Sequence, residues 1–222
     1  MEAPVINVHI CWTRGVSEEE ASAVQSGVGD VLKYVTRHFS VQAAGETCDA
    51  DSWAESCRLS PARDRGYGPQ VDASCVLTRQ IPDGLARSQV SCLTVVILDQ
   101  DITAGNNNYL FGLEEPLGSF KVGAVLSVVR LRDSTMSEKL VRRLARHEFG
   151  HALGLIPEGR SVNVDKIGLH CTNVCTMRQG MCLSGFEELT RGEESAEVIF
   201  CPECADYLRS GLADLKVVFG GP

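Results

Sequence analysis

The stretch HEFGHALGL, residues 147–155, constrains this chain most strongly, because it places two histidines on one face of an amphipathic helix. The sequence TMSE at 135–138 has the pattern of a capping box, which predicts a helix that begins there and runs to about residue 153. Apolar residues and histidines recur at steps of three and four along it, at Leu140, Leu144, His147, His151 and Leu155. Gly154 is placed to end the helix in a left-handed cap. We therefore expect both histidines to point into the protein.

Histidines four residues apart on a helix project toward a common point, where both can approach a zinc ion to about 2.0–2.1 Å. Glu148 lies beside them and is placed to take a proton from a metal-activated water. A chance occurrence of this pattern on an ordinary core helix is the alternative. A hydrolytic zinc site needs a third protein ligand, and the position six residues after His151 is Pro157, which cannot bind a metal. We favour His170 as that ligand over Asp165.

Ten cysteines are present, and five of them lie close together beyond the histidines. Cys201 and Cys204 have the C-x-x-C spacing of a zinc knuckle, and Cys171 and Cys175 complete the four thiolates of a structural zinc site. Cys182 is a fifth thiolate, which leaves open which four bind. Disulfides, or a redox role for the C-x-x-C pair, are the alternatives. The remaining five are expected to fill core and loops: Cys11, Cys48, Cys57, Cys75 and Cys92.

Composition excludes several classes of protein. The 222 residues are 44% hydrophobic and 23% charged, an ordinary globular balance. The net charge of −8 argues against a nucleic-acid partner, and we interpret the local cluster Arg142, Arg143 and Arg146 as a solvated helix face. No apolar run approaches the roughly 18 residues that would indicate a membrane span, and the first residues do not have the pattern of a secretory signal. We expect a monomeric, cytoplasmic protein without a membrane partner.

Hydrophobic periodicity predicts strands that alternate with helices. Strands are expected at residues 4–12, 91–102, 108–118 and 121–132, with the third of these short and followed by a turn. Helices besides the histidine-bearing one are expected at residues 17–39, 72–80 and 202–216. Residues 44–68 are rich in Asp, Ser, Gly and Arg, lack periodicity and are predicted to form a long loop.

Taken together, these motifs resemble the archaemetzincins, a family of zinc metallopeptidases in the metzincin clan. The family signature is HExxHxxGxxHC, four residues, C-x-M, a spacer and C-x-x-C. The matching positions here are His147, Glu148, His151, Gly154, His170, Cys171, Cys175, Met177, Cys201 and Cys204. Residues 99–131 also resemble the family's segment before the active-site helix, and residues 65–70 (RGYGPQ) do so weakly. The resemblance covers residues 90–216 well and the first 90 poorly.

The resemblance implies an α/β (α+β) fold of the metzincin type: a twisted, mixed, mostly parallel sheet with the active-site helix, and a small zinc-stabilised C-terminal subdomain. The expected division is 1–156 and 157–222. Two zinc ions per chain are implied. The catalytic ion would be held by His147, His151 and His170, and the structural ion by Cys171, Cys175, Cys201 and Cys204. Glu148 would be the general base, and Met177 would lie in a Met-turn beneath the catalytic metal without binding it.

This chain departs from the family pattern between the second and third histidines. The family has five intervening residues, whereas here there are 18, at 152–169. Lengthening a surface loop costs little, because the entropic cost of closing it grows only as the logarithm of its length. The extra residues can therefore loop out after Gly154, and we hypothesise that they sit at the rim of the site and either shape substrate access or act as a lid. The spacing between Cys171 and Cys175 is also one residue shorter than in the family.

A zinc-dependent peptidase that acts on a peptide or protein substrate is the function that these residues favour. A zinc-stabilised binding module with a vestigial or closed peptidase site is the alternative. The presence of Glu148 favours the enzyme, because a purely structural zinc needs no base. A protein with only the cysteine-bound zinc is a third hypothesis. In the peptidase, residues 108–113 are expected to pair with extended substrate as an added strand.

Overall fold

A computed structural model describes residues 6–35, 39–43, 49–63, 66–79, 92–117, 120–156, 160–165 and 170–210. The strands in this part of the chain are β1 (Ile6–Trp12), β2 (Phe39–Ala43), β3 (Gln70–Asp72), β4 (Cys92–Leu98), β5 (Asp101–Thr103), β6 (Gly112–Leu117) and β7 (Phe120–Ser127). The α-helices are α1 (Glu18–Val35), α2 (Ala50–Ser56), α3 (Ala73–Arg79), α4 (Ser137–Ala152), α5 (Leu183–Ala196) and α6 (Pro202–Ser210). A 3₁₀ helix covers Val129–Asp133.

Across the described residues, the main sheet has five strands in the order β2-β1-β4-β7-β6. Neighbouring strands are parallel except that β6 runs antiparallel to β7. The strand β6 is therefore an antiparallel edge on an otherwise parallel sheet. A short parallel pair, β3 with β5, lies apart from this sheet. The predicted mixed, mostly parallel sheet of an α/β fold is confirmed.

Helices cover both faces of the sheet, because alternate residues of its strands point to opposite sides. Val95 and Ile97 of β4 pack into the core with α1 and α4, whereas Val96 and Leu98 pack into a second core with α2 and α3. All four side chains are fully buried or nearly so. This two-sided burial explains why β4 is a continuous apolar run in the sequence. The helix α4 thereby packs against one face of the sheet.

Most predicted elements are present, with corrections at their ends. The strand expected at 91–102 is two strands, β4 and β5, and the one expected at 121–132 ends at Ser127 before the 3₁₀ helix. The histidine-bearing helix begins at Ser137, and its cap residue Met136 makes no side-chain cap hydrogen bond, so the predicted capping box is wrong. A capping box does form at α1, between Ser17 and Glu20. Residues 36–38 and 211–216, also predicted helical, lie outside the described part.

The prediction of one long loop over 44–68 is wrong, because α2 lies within it. This helix packs on the sheet through Ala50 and Ala54, and its small buried residues produce little hydrophobic periodicity. The helix α5 was also not predicted. Its buried residues are Phe186, Thr190 and Glu193, a stripe in which two of three members are polar.

The basic cluster on α4 is not a solvated face. Arg143 is fully buried, Arg146 has only 12% of its side chain exposed, and Arg142 forms an ion pair with the buried Asp30 of α1. Arg143 donates to Glu193 at 2.7 Å and lies over the ring of Phe186. The cluster therefore joins α4 to α1 and α5, a pairing that only the tertiary structure reveals.

The N-terminal cysteines also differ from expectation at one pair. Cys57, at the end of α2, forms a disulfide with Cys75 of α3, so these two do more than fill core and loops. Cys11 is not part of a disulfide and is buried in the core, as expected. Cys48 and the side chain of Cys92 lie outside the described part. Among the described residues, no helix is long and apolar enough to cross a bilayer.

Candidate active site

The helix α4 ends in the left-handed turn that its glycine predicts. Gly154 has φ 78°, and its N–H donates to the His151 carbonyl at 2.8 Å. The next N–H, of Leu155, donates to the Gly150 carbonyl at 3.0 Å. This pair of bonds satisfies carbonyls at the helix end and turns the chain away immediately after the second histidine. The last turn of α4 is thereby fixed with His147 and His151 side by side.

Three imidazoles meet at this turn. His147 and His151 project from α4, and His170 reaches them from the segment that follows the long connection. Their ring centroids are 4.8 to 5.2 Å apart, and one nitrogen from each lies within 4.8 Å of the others. All three residues are at least 91% buried. The structure thus brings His170 to the two helical histidines despite the 18 intervening residues.

The Nδ1 atoms of these rings face acceptors of the protein. His147 Nδ1–H donates to the Thr176 carbonyl at 2.8 Å, His151 Nδ1 lies 4.0 Å from Glu114, and His170 Nδ1 lies 3.8 Å from Asp165. A proton on Nδ1 of His147 leaves Nε2 as the lone-pair donor. Burial, helped by the charges of nearby side chains, lowers the pKa of His147 well below its usual range. The ring is therefore neutral at pH 7, as a metal ligand must be.

Glu148 is buried between α4 and the edge strand β6. A Cβ placed on Gly112, the first residue of β6, would lie 2.5 to 2.6 Å from the carboxyl carbon and Oε1 of Glu148. The absence of a side chain at Gly112 is what allows the carboxylate to fit against the strand. Glu148 is thus positioned beside the three histidines, at the boundary between the helix and the exposed sheet edge.

An open cleft of about 410 Å³ runs over these groups. Residues 107–114 line one part of it, and all three histidines and Glu148 line another. Phe111 stacks on Phe186 at 5.4 Å between ring centroids, and Tyr109 meets Phe111 edge to face, so part of the wall is aromatic. An extended backbone edge beside an apolar wall suits an extended peptide.

Met177 packs against the turn of α4 that carries the histidines. Its side chain is fully buried, and its sulfur occupies the space next to Gly150, where an added Cβ would approach it to 2.6 Å. Gly150 belongs to the turn of α4 between the two histidines. The thioether therefore supports the histidine-bearing turn from inside the protein. Its role as a Met-turn residue remains a prediction.

The second cluster consists of the four predicted cysteines. Their sulfurs lie within 4.8 Å of one another, all four residues are buried, and none is in a disulfide: Cys171, Cys175, Cys201 and Cys204. Hydrogen bonds from the Cys175 and Cys204 thiols lower the pKa of Cys171, and the same contacts raise the pKa of Cys175. Cys182 is exposed and lies 3.4 Å from the Ser184 hydroxyl, outside this group.

The described part of the connection, residues 160–165, lies against the cysteine cluster and contributes no residue to the cleft. The hypothesis that the extra residues shape substrate access is therefore not supported for this part. Residues 157–159 and 166–169 lie outside the described part. Asp165, the alternative third ligand, packs against His170 and is not a member of the three-histidine group.

Comparison with known proteins identifies the family. A scan against protein-family models finds none that matches the chain. An archaemetzincin from Archaeoglobus fulgidus is 33% identical over 142 residues, which cover 63% of this chain and 69% of that protein. This chain belongs to the archaemetzincin family. An archaemetzincin from Nanoarchaeum equitans is 35% identical over 86 residues, 39% of this chain and 38% of that protein. The predicted membership of this metallopeptidase family is confirmed.

Solved archaemetzincins have the same fold. The Archaeoglobus fulgidus structure superimposes with a TM-score of 0.59 at 24% identity, over 90% of this chain and 99% of that one. The Methanopyrus kandleri archaemetzincin gives 0.61 at 20% identity, over 93% and 95%. A structure described as a zinc-dependent peptidase, from Methanocorpusculum labreanum, gives 0.60 at 19% identity, over 90% and 99%. The fold therefore extends over the N-terminal part, where the sequence resemblance is weak.

The donor sets of this archaemetzincin fit zinc. Three imidazoles that leave one position open are a usual set for a catalytic zinc, and four buried cysteine sulfurs are a usual set for a structural one. The hydrogen bond from His147 to Thr176 is the kind of outer contact that orients such a ligand. The chemistry of both groups therefore agrees with the family's metal.

Two features of the site were not predicted from the sequence. Thr176 contacts His147 through its backbone carbonyl, and a backbone contact cannot be recognised from the residue type. Gly112 had a detectable signal, because an isolated glycine in a strand pattern often marks a close approach of another group.

Proposed function

We propose that this archaemetzincin is a zinc endopeptidase whose catalytic metal is held by His147, His151 and His170. The observation that carries the proposal is the convergence of three buried imidazoles beside Glu148, in an open cleft lined by residues of the edge strand β6. Bound zinc supplies Lewis acidity, which lowers the pKa of a water and polarises the scissile carbonyl. The remaining chemistry belongs to side chains of this chain.

Glu148 is the proposed general base. Its carboxylate accepts the proton of the attacking water and then gives a proton to the leaving amine, which is the role that a carboxylate beside the metal ligands can perform. Gly112 allows the carboxylate to lie against the edge strand, where substrate would be bound. Thr176 holds the ring of His147 through Nδ1. Met177 supports the turn of α4 from below.

The edge strand β6 is the proposed substrate-binding element. Within the described residues it pairs with β7 on one side, and its other edge borders the cleft. An extended peptide can therefore add to the sheet by backbone hydrogen bonds, which would place a peptide bond over Glu148. The cleft is open, which disfavours the alternative of a binding module with a closed site.

The second proposed metal is a structural zinc on Cys171, Cys175, Cys201 and Cys204. Two zinc ions per chain are then expected for the wild type. One is expected for His170→Ala and one for Cys201→Ser, measured by elemental analysis of purified protein. An unchanged zinc content in His170→Ala would contradict the assignment of the third ligand. If the wild type contains one zinc per chain and His170→Ala contains the same amount, the cysteine cluster is the only zinc site.

The catalytic proposal is tested with Glu148→Gln. We expect the variant to keep two zinc ions and to lose hydrolysis of a mixed peptide library, followed by mass spectrometry of new termini. Glu138→Gln, in the exposed first turn of the same helix, is the matched control and should cleave as the wild type does. Equal cleavage by the Glu148 and Glu138 variants would refute the general base. A wild type that holds both metals but cleaves nothing would support the binding module.

A further inference from the structure

The segment 160–165, here called the strap, begins with Arg160, whose guanidinium lies against the cysteine cluster. Arg160 places Nη1 3.1 Å from Cys204 Sγ and Nη2 3.6 Å from Cys171 Sγ. Its Nε donates to the Val162 carbonyl at 3.0 Å, which holds the guanidinium in this orientation. Four thiolates around one divalent cation carry a net charge of −2. A buried net charge is costly unless a partner compensates it, and Arg160 is such a partner.

The middle of the strap is fixed by further contacts to the same cluster. The Asn163 amide donates to the Glu203 carboxylate at 2.9 Å, and Glu203 lies between Cys201 and Cys204 in sequence. The Asn163 carbonyl accepts the Thr172 N–H at 3.0 Å, and Val164 forms an antiparallel bridge with Cys171. The strap is therefore bound to both halves of the cysteine group.

The last residue of the strap binds the third histidine. The Asp165 N–H donates to the His170 carbonyl at 2.8 Å, and the His170 N–H donates to Asp165 Oδ1 at 3.0 Å. The other carboxylate oxygen, Oδ2, lies 3.8 Å from His170 Nδ1. Asp165 thus fixes the backbone of His170 on both sides and presents a carboxylate to the ring nitrogen that faces it. Carboxylates in this relation to a histidine ligand orient the ring and strengthen metal binding.

We propose that the strap joins the two metal sites, with Arg160 and Asp165 as positioning residues outside the ligand sets. Arg160 compensates the charge of the cysteine site and anchors the strap, and Asp165 holds His170 toward the other two histidines. The strap thereby keeps the third ligand in place after a long connection. Metal in the cysteine cluster orders the strap and so raises the zinc affinity of the histidine site. The inference rests on the proposed zinc ligands.

The experiment measures metal affinity at each site of the full-length protein. Co²⁺ is the probe, because thiolate-bound Co²⁺ absorbs strongly in the near ultraviolet, so the cysteine and histidine sites can be titrated separately against a chelator. Asp165→Ala should lower the affinity of the histidine site by about 10- to 100-fold, change its visible spectrum and leave the cysteine site unchanged. Asp165→Asn, which keeps an oxygen for the His170 N–H, should restore part of the affinity.

Arg160→Gln should weaken the cysteine site and, through the strap, the histidine site as well. In the double variant with Asp165→Ala, the loss at the histidine site should be smaller than the sum of the two single losses, because both act through one segment. Arg191→Gln, an exposed arginine on α5 that forms an ion pair with Glu187, is the matched control and should change neither affinity. Unfolding of the metal-free variants by denaturant separates a loss of positioning from a general loss of stability.

Two results would overturn the inference. One is a histidine-site affinity within twofold of the wild type in Asp165→Ala. The other is a change in Arg160→Gln confined to the cysteine site, which would remove the connection between the sites. Either result leaves the proposed peptidase intact if wild-type cleavage still depends on Glu148. A wild type that takes up Co²⁺ at the cysteine site alone would instead refute the proposed catalytic site itself.

Discussion

At the scale of single residues, the site depends on close approaches that leave no space for a larger side chain. Gly112 and Gly150 each lie where a Cβ would be about 2.6 Å from a functional side chain, Glu148 in one case and Met177 in the other. Real Cβ contacts are not this short, so any substitution displaces the neighbour. The positions of the Glu148 carboxylate and the Met177 thioether are therefore set partly by residues that have no chemistry of their own.

The first prediction concerns Gly112. Gly112→Ala should displace the Glu148 carboxylate and lower kcat/KM by about 100-fold with zinc retained, because a misplacement of about 1 Å costs that much. Gly29→Ala is the control, since Gly29 lies in α1 with no atom near its would-be Cβ. This control should be as active as the wild type and more stable by about 0.5–1 kcal/mol. Equal activity of the two variants would show that Gly112 does not position the base.

At the scale of elements, buried ion pairs hold α4 between its neighbours. Arg143 donates to Glu193 of α5 and to the carbonyls of Thr176 and Arg178, while Thr176 also donates its hydroxyl to Glu193. Burial lowers the pKa of Arg143, although the charge of Glu193 opposes this effect. The same Thr176 carbonyl accepts the bond from His147, so this network connects the segment 176–178, α5 and the histidine-bearing helix.

The second prediction follows from this burial. Glu193→Ala should lower the free energy of unfolding by about 3–5 kcal/mol, because it leaves the guanidinium of Arg143 buried without its counter-charge. Glu194→Ala, the neighbouring residue with a half-exposed ion pair to Lys139, is the control and should cost at most about 1 kcal/mol. Urea unfolding of both variants measures the difference. Similar values would mean that Arg143 finds another partner.

The third prediction concerns the contact between α1 and α4. Burial raises the pKa of Asp30, but hydrogen bonds and charge from Arg142 outweigh it, so the pKa of this carboxyl is lowered overall. When the pKa of a carboxyl is lower in the folded protein than in the unfolded one, its charge stabilises the fold. This stabilisation is complete at pH values above the unfolded-state pKa of about 3.9, and it is lost as the pH falls through the folded-state pKa.

Asp30→Asn should therefore destabilise the metal-free protein at pH 7 and have little effect at the acid end of this range. Denaturant unfolding of both proteins at several pH values measures this. The metal-free form is used so that loss of zinc in acid does not contribute. A pH-independent difference between the two proteins would contradict a role for the Asp30 charge.

At the scale of the whole molecule, the C-terminal residues share the main core. Tyr34 of α1 meets Phe200 edge to face with ring centroids 5.2 Å apart, and Cys201 and Leu208 pack in the same cluster as the strands. We propose the division at 156 and 157 as one between subdomains, with the cysteine zinc as the main organiser of the second. The stability of residues 170–210 should then depend on this metal more strongly than the stability of the sheet does.

The fourth prediction tests that division. In Cys201→Ser, amide protection from hydrogen exchange should decrease over 170–210 and persist in the central strands β1 and β4, because only the second subdomain loses its metal. Cys182→Ser is the control, since Cys182 is exposed and lies outside the cluster. Exchange in this control should equal the wild type. Loss of protection across the sheet as well would show one cooperative unit.

The monomeric state, the cytoplasmic location and the absence of a nucleic-acid partner stay predictions. The disulfide between Cys57 and Cys75 bears on the second of these, because disulfides form mainly in oxidising compartments. Mass measurement with and without reductant, on protein taken from its native compartment, establishes whether the bond forms there.

The sequence by itself determined the histidine-bearing helix, its terminal glycine, the two clusters of candidate ligands and the family. These features are local: the spacing of His147 and His151 and the pattern of the cysteines can be recognised within short segments. Most strands were predicted for the same reason, since burial on a sheet imposes a short period on the residues themselves. The helices α2 and α5 were not predicted, because the side chains on their buried faces are small or polar and give little hydrophobic periodicity.

Only the tertiary structure decided which distant residues meet. The contact of Gly112 with Glu148, the pair Arg143–Glu193 and the disulfide Cys57–Cys75 join segments with no shared local pattern. It also decided that the described part of the long connection lies on the cysteine cluster, with Asp165 beside His170. The physical reason is that charges and close packing act through space, whereas periodicity along the chain reports only whether a face is buried.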